Sequence, residues 1–117
     1  MTFGVASMTA PLREVALRRP GKSIVTAEPS AWNYGKYFDP SKIESEYDSF
    51  VLALKNFGVK IHWMKGDDLG NADSVFAYDA SLMTPNGAIL MSPGKEKRLG
   101  EETLHATFYR SNGIPII

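Results

Sequence analysis

Apolar positions recur along the chain at two periods, and Pro-Gly or Gly punctuation separates the blocks. Leu12 to Arg18 has the short apolar character of a mostly buried strand and stops at Pro20-Gly21. Residues 21–38 follow as a loop carrying Trp32, Tyr34, Tyr37 and Phe38. Asp39-Pro40 is a helix start, with Asp as N-cap and Pro at the first helical position. Ile43, Tyr47, Phe50, Val51 and Leu54 then fall on one helical face, with Tyr47, Phe50 and Leu54 expected in the core. Gly58 caps the helix, and Val59 to Met64 forms a buried strand. Val75–Asp79 and Ala88–Met91 are expected to pair as a hairpin around Pro85-Asn86-Gly87. Leu99 to Ser111 is a second helix, Gly113 its cap, and Ile114 to Ile117 the start of another strand.

The two halves share one plan: strand, Pro-Gly-Lys, helix, Gly, strand. It runs from Pro20-Gly21-Lys22 to Gly58 and again from Pro93-Gly94-Lys95 to Gly113, with extra loop residues in the first copy. The expected domain is therefore one unit over 1–117, with repeats at about 11–64 and 72–117. Repeat folds bury each unit against its neighbours and usually need at least three, so two units and an apolar last strand imply an incomplete molecule.

Composition narrows the function. Apolar content of 44% and charged content of 22% describe an ordinary globular chain. A formal net charge of zero argues against an electrostatic nucleic-acid binder. No apolar run approaches the ~18 residues of a membrane span, and no signal peptide is evident, so a cytoplasmic location is expected. With no cysteine, disulfides, thiolate zinc sites and thiol catalysis within this chain are excluded, and with only His62 and His105 a metal site is not expected. No cofactor is implied.

Chemistry concentrates in Asp73-Ser74-Val75-Phe76-Ala77-Tyr78-Asp79 and in Pro93-Gly94 with Arg98 beyond it. Carboxylates in apolar surroundings are costly unless they meet a cation. By residue type alone, Asp73 also suits a turn, Asp79 a strand end, and Arg98 a solvated helix start. His62, between Ile61 and Trp63, is expected as a satisfied core imidazole. His105 is expected on a helix surface, and Glu44, Glu46, Asp48, Glu101 and Glu102 on solvated helix faces. The loop aromatics either pack onto the helix or cover a ligand.

These residues resemble the guanidine-modifying (pentein) superfamily of dimethylarginine dimethylaminohydrolase, arginine deiminase and the amidinotransferases. Leu12 to Gly21 is similar to its first strand, Ala72 to Asp79 to its substrate-binding strand, and Pro93-Gly94 with Arg98 to the segment supplying a carboxylate-binding arginine. The resemblance implies an α/β fold, about two ββαβ modules of a five-fold pseudosymmetric α/β-propeller. It implies a small guanidino substrate, with Asp79 on the guanidinium, Asp73 near the ammonium, Arg98 on the carboxylate and Phe76 beside the methylenes. The loop over 21–38 falls where the dimethylarginine hydrolases carry a lid. The family's cysteine, histidine and acid would lie in later modules, so no catalytic role passes to His62 or His105. Tyr78 stands where the dimethylarginine hydrolases have glutamate and the deiminases often arginine, which counts against dimethylarginine itself. Six residues of straight strand span about 20 Å, so the Asp73–Asp79 run must bend for both carboxylates to serve one small ligand. The competing expectation is a non-catalytic module that associates with itself or a partner through open sheet edges.

Overall fold

A computed structural model describes residues 3–117. It is a mixed α/β structure built from two separate pairs of strands. In the first, β1 (Glu14–Leu17) runs parallel to β2 (Lys60–Trp63), with Val15 opposite Ile61 and Leu17 opposite Trp63. A parallel pair needs a crossover. Here it includes a short helix α1 (Lys22–Val25), the aromatic loop, and α2 (Ile43–Asn56). The Asp39-Pro40 start holds: Asp39 accepts from the Ser41 amide at 3.0 Å, opening a 3₁₀ turn over Pro40–Lys42 that leads into α2.

The second pair is an antiparallel hairpin of β3 (Ser81–Thr84) and β4 (Gly87–Leu90). After a 3₁₀ turn at Glu96–Arg98, α3 (Glu101–Ser111) leads to Ile116, which bridges Ala88 in parallel. The expected strand over Ile114–Ile117 is reduced to that bridge.

The two helix ends are built alike. Gly58 (φ 76°) and Gly113 (φ 68°) take left-handed conformations that L side chains resist. Val59 then donates to the Leu54 carbonyl at 3.1 Å, and Ile114 to the Tyr109 carbonyl at 2.9 Å. The chain thus leaves both helices by the same left-handed exit.

Several expectations change. Residues 75–79 are not a strand: Ala72–Val75 form a 3₁₀ turn, and the first hairpin strand starts at Ser81. Arg98 Nη2 takes the Phe76 carbonyl at 3.0 Å, an acceptor that a strand would give to its ladder. Tyr47 and Leu54 are half-buried, but Phe50 is exposed, as are Leu52 and Phe57. A sheet of two strands is too narrow to cover the apolar face of α2. The buried apolar cluster is small and lies in the second half, where Ala88, Tyr109 and Ile114 meet Met83, Leu90, Phe108 and Ile116. His62 behaves as expected, half-buried and bonded to Glu14 at 2.6 Å.

His105 and Glu101 overturn their expectations as surface residues. Both are buried, on the face of α3 that also carries Ala106 and Tyr109. Polar residues at i, i+4 and i+8 look like a solvated face in sequence, yet here they form a polar core. Ser81 Oγ meets His105 Nδ1 at 2.7 Å and the Tyr109 hydroxyl at 2.5 Å. Burial, with Arg18 and Arg98 nearby, lowers the imidazole from 6.5 to about 4.

A Cβ at Gly87 (φ 146°) would lie 2.6 Å from the Pro115 carbonyl oxygen. Gly87→Ala should therefore cost roughly 1–3 kcal/mol in urea unfolding, whereas an unchanged midpoint would show that the bridge is loose. For His105, the unfolded chain takes up a proton below about 6.5 that the folded chain refuses down to about 4. Stability should fall by about 2 kcal/mol between pH 7 and pH 5, and His105→Gln should flatten that part of the profile.

Candidate functional site

Arg98 is where the separate pieces of the site converge. It sits in the 3₁₀ turn before α3 with its side chain only 11% exposed, so it is not the solvated helix start that residue type suggested. Its Nε donates to Glu101 Oε2 at 2.9 Å and its Nη2 to Glu101 Oε1 at 2.8 Å. This two-point fit matches a planar guanidinium to a carboxylate. Nη1 donates to Asp79 Oδ2 at 2.5 Å, and Nη2 reaches the Phe76 carbonyl at 3.0 Å and the Asp73 carbonyl at 3.4 Å. Glu101, with Asp79, holds the guanidinium still more firmly protonated than an ordinary arginine.

The residues expected at the site are thus gathered around one cation. The run from Asp73 to Asp79 bends, through the 3₁₀ turn and the loop after it. Asp79 lies in that loop, its side chain half exposed. Phe76 contributes its carbonyl, while its side chain is exposed. Asp73 is buried, with its carboxylate turned toward the aromatic loop.

Asp73 has its own partners. Oδ1 accepts from the Tyr34 hydroxyl at 2.5 Å, and Oδ2 from Lys95 Nζ at 2.7 Å. Burial, and then the bond to Asp73, push the Tyr34 hydroxyl well above the usual phenol range, so it stays a donor. Lys95 Nζ also donates to the Trp32 carbonyl at 2.5 Å and lies 5.1 Å from the Trp32 ring and 5.5 Å from that of Tyr34. Cation–π attraction and a buried carboxylate together fix the ammonium. Phe38 packs on Tyr34 with ring centroids 4.7 Å apart, while Tyr37 is exposed. Three of the four loop aromatics therefore pack inward.

Away from these residues, a cavity of about 560 Å³ lies beside the Pro20-Gly21 turn, lined by Arg18, Lys22, Trp63, Lys65 and Asp68. Burial raises the Asp68 carboxyl, but the Ser23 hydroxyl and amide, the Gly70 amide and Arg18 outweigh it and hold it low. Asp68 is thereby a fastener between α1 and the loop before Ala72. Among the described residues no cluster of His, Asp and Glu is placed to hold a metal ion, and no helix is long and apolar enough to cross a membrane.

The fold of the chain is similar to those of solved structures. A dimethylarginine dimethylaminohydrolase bearing an adduct of 4-chloro-2-hydroxymethylpyridine superposes with a TM-score of 0.66 at 28% identity, covering 92% of this chain and 41% of that one. A histidine-to-glycine variant, as an adduct with S-methyl-L-thiocitrulline, gives a TM-score of 0.67 at 29% identity over 86% and 39%. The Pseudomonas aeruginosa enzyme, as a cysteine-to-serine variant complexed with citrulline, gives 0.65 at 30% over 86% and 38%. The chain fits the guanidine-modifying superfamily. It spans about two-fifths of the length of these enzymes. No protein-family model matches the sequence, and no curated protein does.

Sequence reasoning missed Glu101 and Lys95. Glu101 stands three residues after Arg98, a spacing at which side chains meet across a helical turn. Lys95 shows no signal apart from its place after Pro93-Gly94, since its partners lie across the fold. Glu101 is fully buried, so removing its cation leaves an uncompensated charge. Arg98→Met should cost about 3–5 kcal/mol, and adding Glu101→Gln should recover part of that loss. Equal stability of Arg98→Met and wild type in urea unfolding would contradict this role.

Proposed function

We propose that the chain supplies the guanidinium-recognising part of an amidinohydrolase or amidinotransferase that acts on arginine or an arginine derivative. The observation that carries this reading is a guanidinium, that of Arg98, held against the Asp79 carboxylate and the Phe76 carbonyl. Asp79 gives one oxygen to Arg98 and is half exposed. A carboxylate that pairs with a planar cation orients its carbon, which is positioning catalysis. On this reading Asp79 takes the substrate guanidinium, Phe76 flanks the methylenes, and Arg98 with the Asp73–Lys95 pair bounds the far end of the ligand. The aromatic loop would exclude water as a lid. Lacking cysteine, the chain has no thiol nucleophile of the kind the family uses and would be inactive alone.

The same left-handed exit and parallel return after both helices support two units of an α/β-propeller, at about 11–64 and 72–117, the second in the order ββαβ and the first with one strand, β1, before its helices. A propeller of such units would cover the exposed Phe50, Leu52 and Phe57 of α2. The open outer edges of β1 and β2 favour a second reading, association with another copy or with the rest of a propeller. A sedimentation profile that stays monomeric at every concentration would count against self-association.

Titration with arginine, methylated arginines and guanidino acids, followed by NMR, tests the first reading. Shifts should centre on Phe76, Asp79 and Arg98 with Kd on the order of 1 mM, and Asp79→Asn should weaken them at least tenfold. If no guanidino compound shifts these residues, the reading fails.

A further inference from the structure

The surroundings of Lys95 form a complete receptor for an ammonium group, and the protein fills it with its own side chain. The buried Asp73 carboxylate, the Trp32 carbonyl and the faces of Trp32 and Tyr34 enclose Nζ at 2.7, 2.5, 5.1 and 5.5 Å. Nothing in this receptor is left over. One Asp73 oxygen is spent on Lys95 and the other on Tyr34. The Asp73 side chain is only 6% exposed, so a further cation has no approach.

The receptor adjoins the guanidinium site, since Arg98 touches the Asp73 carbonyl on one side and the Asp79 carboxylate on the other. Lys95 is paired with Asp73, and Arg98 with Glu101 and Asp79, while Lys97 Nζ lies 5.2 Å from the Trp32 ring. Glu101 is fully buried with both oxygens on Arg98. Asp79, half exposed, is the carboxylate of this group that a cationic ligand can reach.

Building on the proposed guanidinium site, we infer that Lys95 is a resident ammonium that sets specificity, and that the ligand is an alkylguanidine or ω-guanidino acid carrying no ammonium group. An arginine-like ligand would have to expel Lys95 from a carboxylate, a carbonyl and two rings to place its own ammonium there.

Arginine and 5-guanidinopentanoate, which differ only in the α-ammonium, give the direct comparison by NMR titration of the full chain. The wild type should bind 5-guanidinopentanoate at least as tightly as arginine. Lys95→Met, which empties the receptor, should shift the ratio of the two Kd values toward arginine by tenfold or more. A merely structural lysine would weaken both ligands alike and leave the ratio unchanged, which overturns the inference. So would a wild type that prefers arginine tenfold, and in that case the guanidinium site itself stands. If neither ligand binds, both the site and this inference fall. Should Lys95→Met lose its fold by circular dichroism, the wild-type ratio alone decides.

Discussion

A guanidinium withdrawn from water must find an acceptor for each of its N–H groups or lose several kcal/mol of solvation. Arg98 meets that demand with Glu101, Asp79 and the carbonyls of Phe76 and Asp73. Much of the second half follows from it. The pull of Arg98 on two carbonyls is compatible with a turn at Ala72–Val75 and not with the ladder of a strand. Glu101, fixed at the start of α3, orients the helix so that His105 and Tyr109 face Ser81 on the hairpin. The bend that gathers the carboxylates and the packing of α3 are thus two results of one ion pair.

This reliance on polar contacts matches the small apolar core. Two narrow sheets give α2 little to lie on, and Phe50, Leu52 and Phe57 remain at the surface. Cross-chain ties in the first half are correspondingly polar. Ser23 is held by Asp68 at 2.7 Å, Ser74 by Arg18, and Tyr34 by Asp73. Arg19 lies over Trp63 at 4.9 Å while pairing with Asp48 at 2.7 Å. Such contacts order a surface without requiring a deep interior. They also leave the aromatic loop anchored through only a few side chains, at the position where the proposed function asks for a cover.

Legibility in the sequence divided along a physical line. Local signals were readable: Asp39-Pro40 as a helix start, Gly58 and Gly113 as exits, and Pro85-Asn86-Gly87 as the hairpin turn. Each depends on neighbours within a few residues. The failures depend on partners far along the chain. Val75–Asp79 has the composition of a strand, but Arg98 claims the Phe76 carbonyl. His105 and Glu101 carry the periodicity of a solvated face because a buried polar face has the same periodicity. Lys95 entered the sequence reading only as part of the Pro93-Gly94-Lys95 repeat, and only the fold places it against Asp73 and Trp32. The expected site residues Asp73, Asp79, Phe76 and Arg98 do lie together, yet Asp73 is occupied by the protein itself.

The Arg98 guanidinium is the most direct reporter of this account, since its N–H groups can be observed individually by nitrogen-15 NMR. Held by Glu101 and Asp79, it should give resolved, slowly exchanging Nε and Nη signals, and methylguanidine should move the Nη signals while leaving Nε in place. A single set of fast-exchanging signals, like those of a solvated arginine and indifferent to methylguanidine, would contradict the central role given to Arg98 and the site built around it.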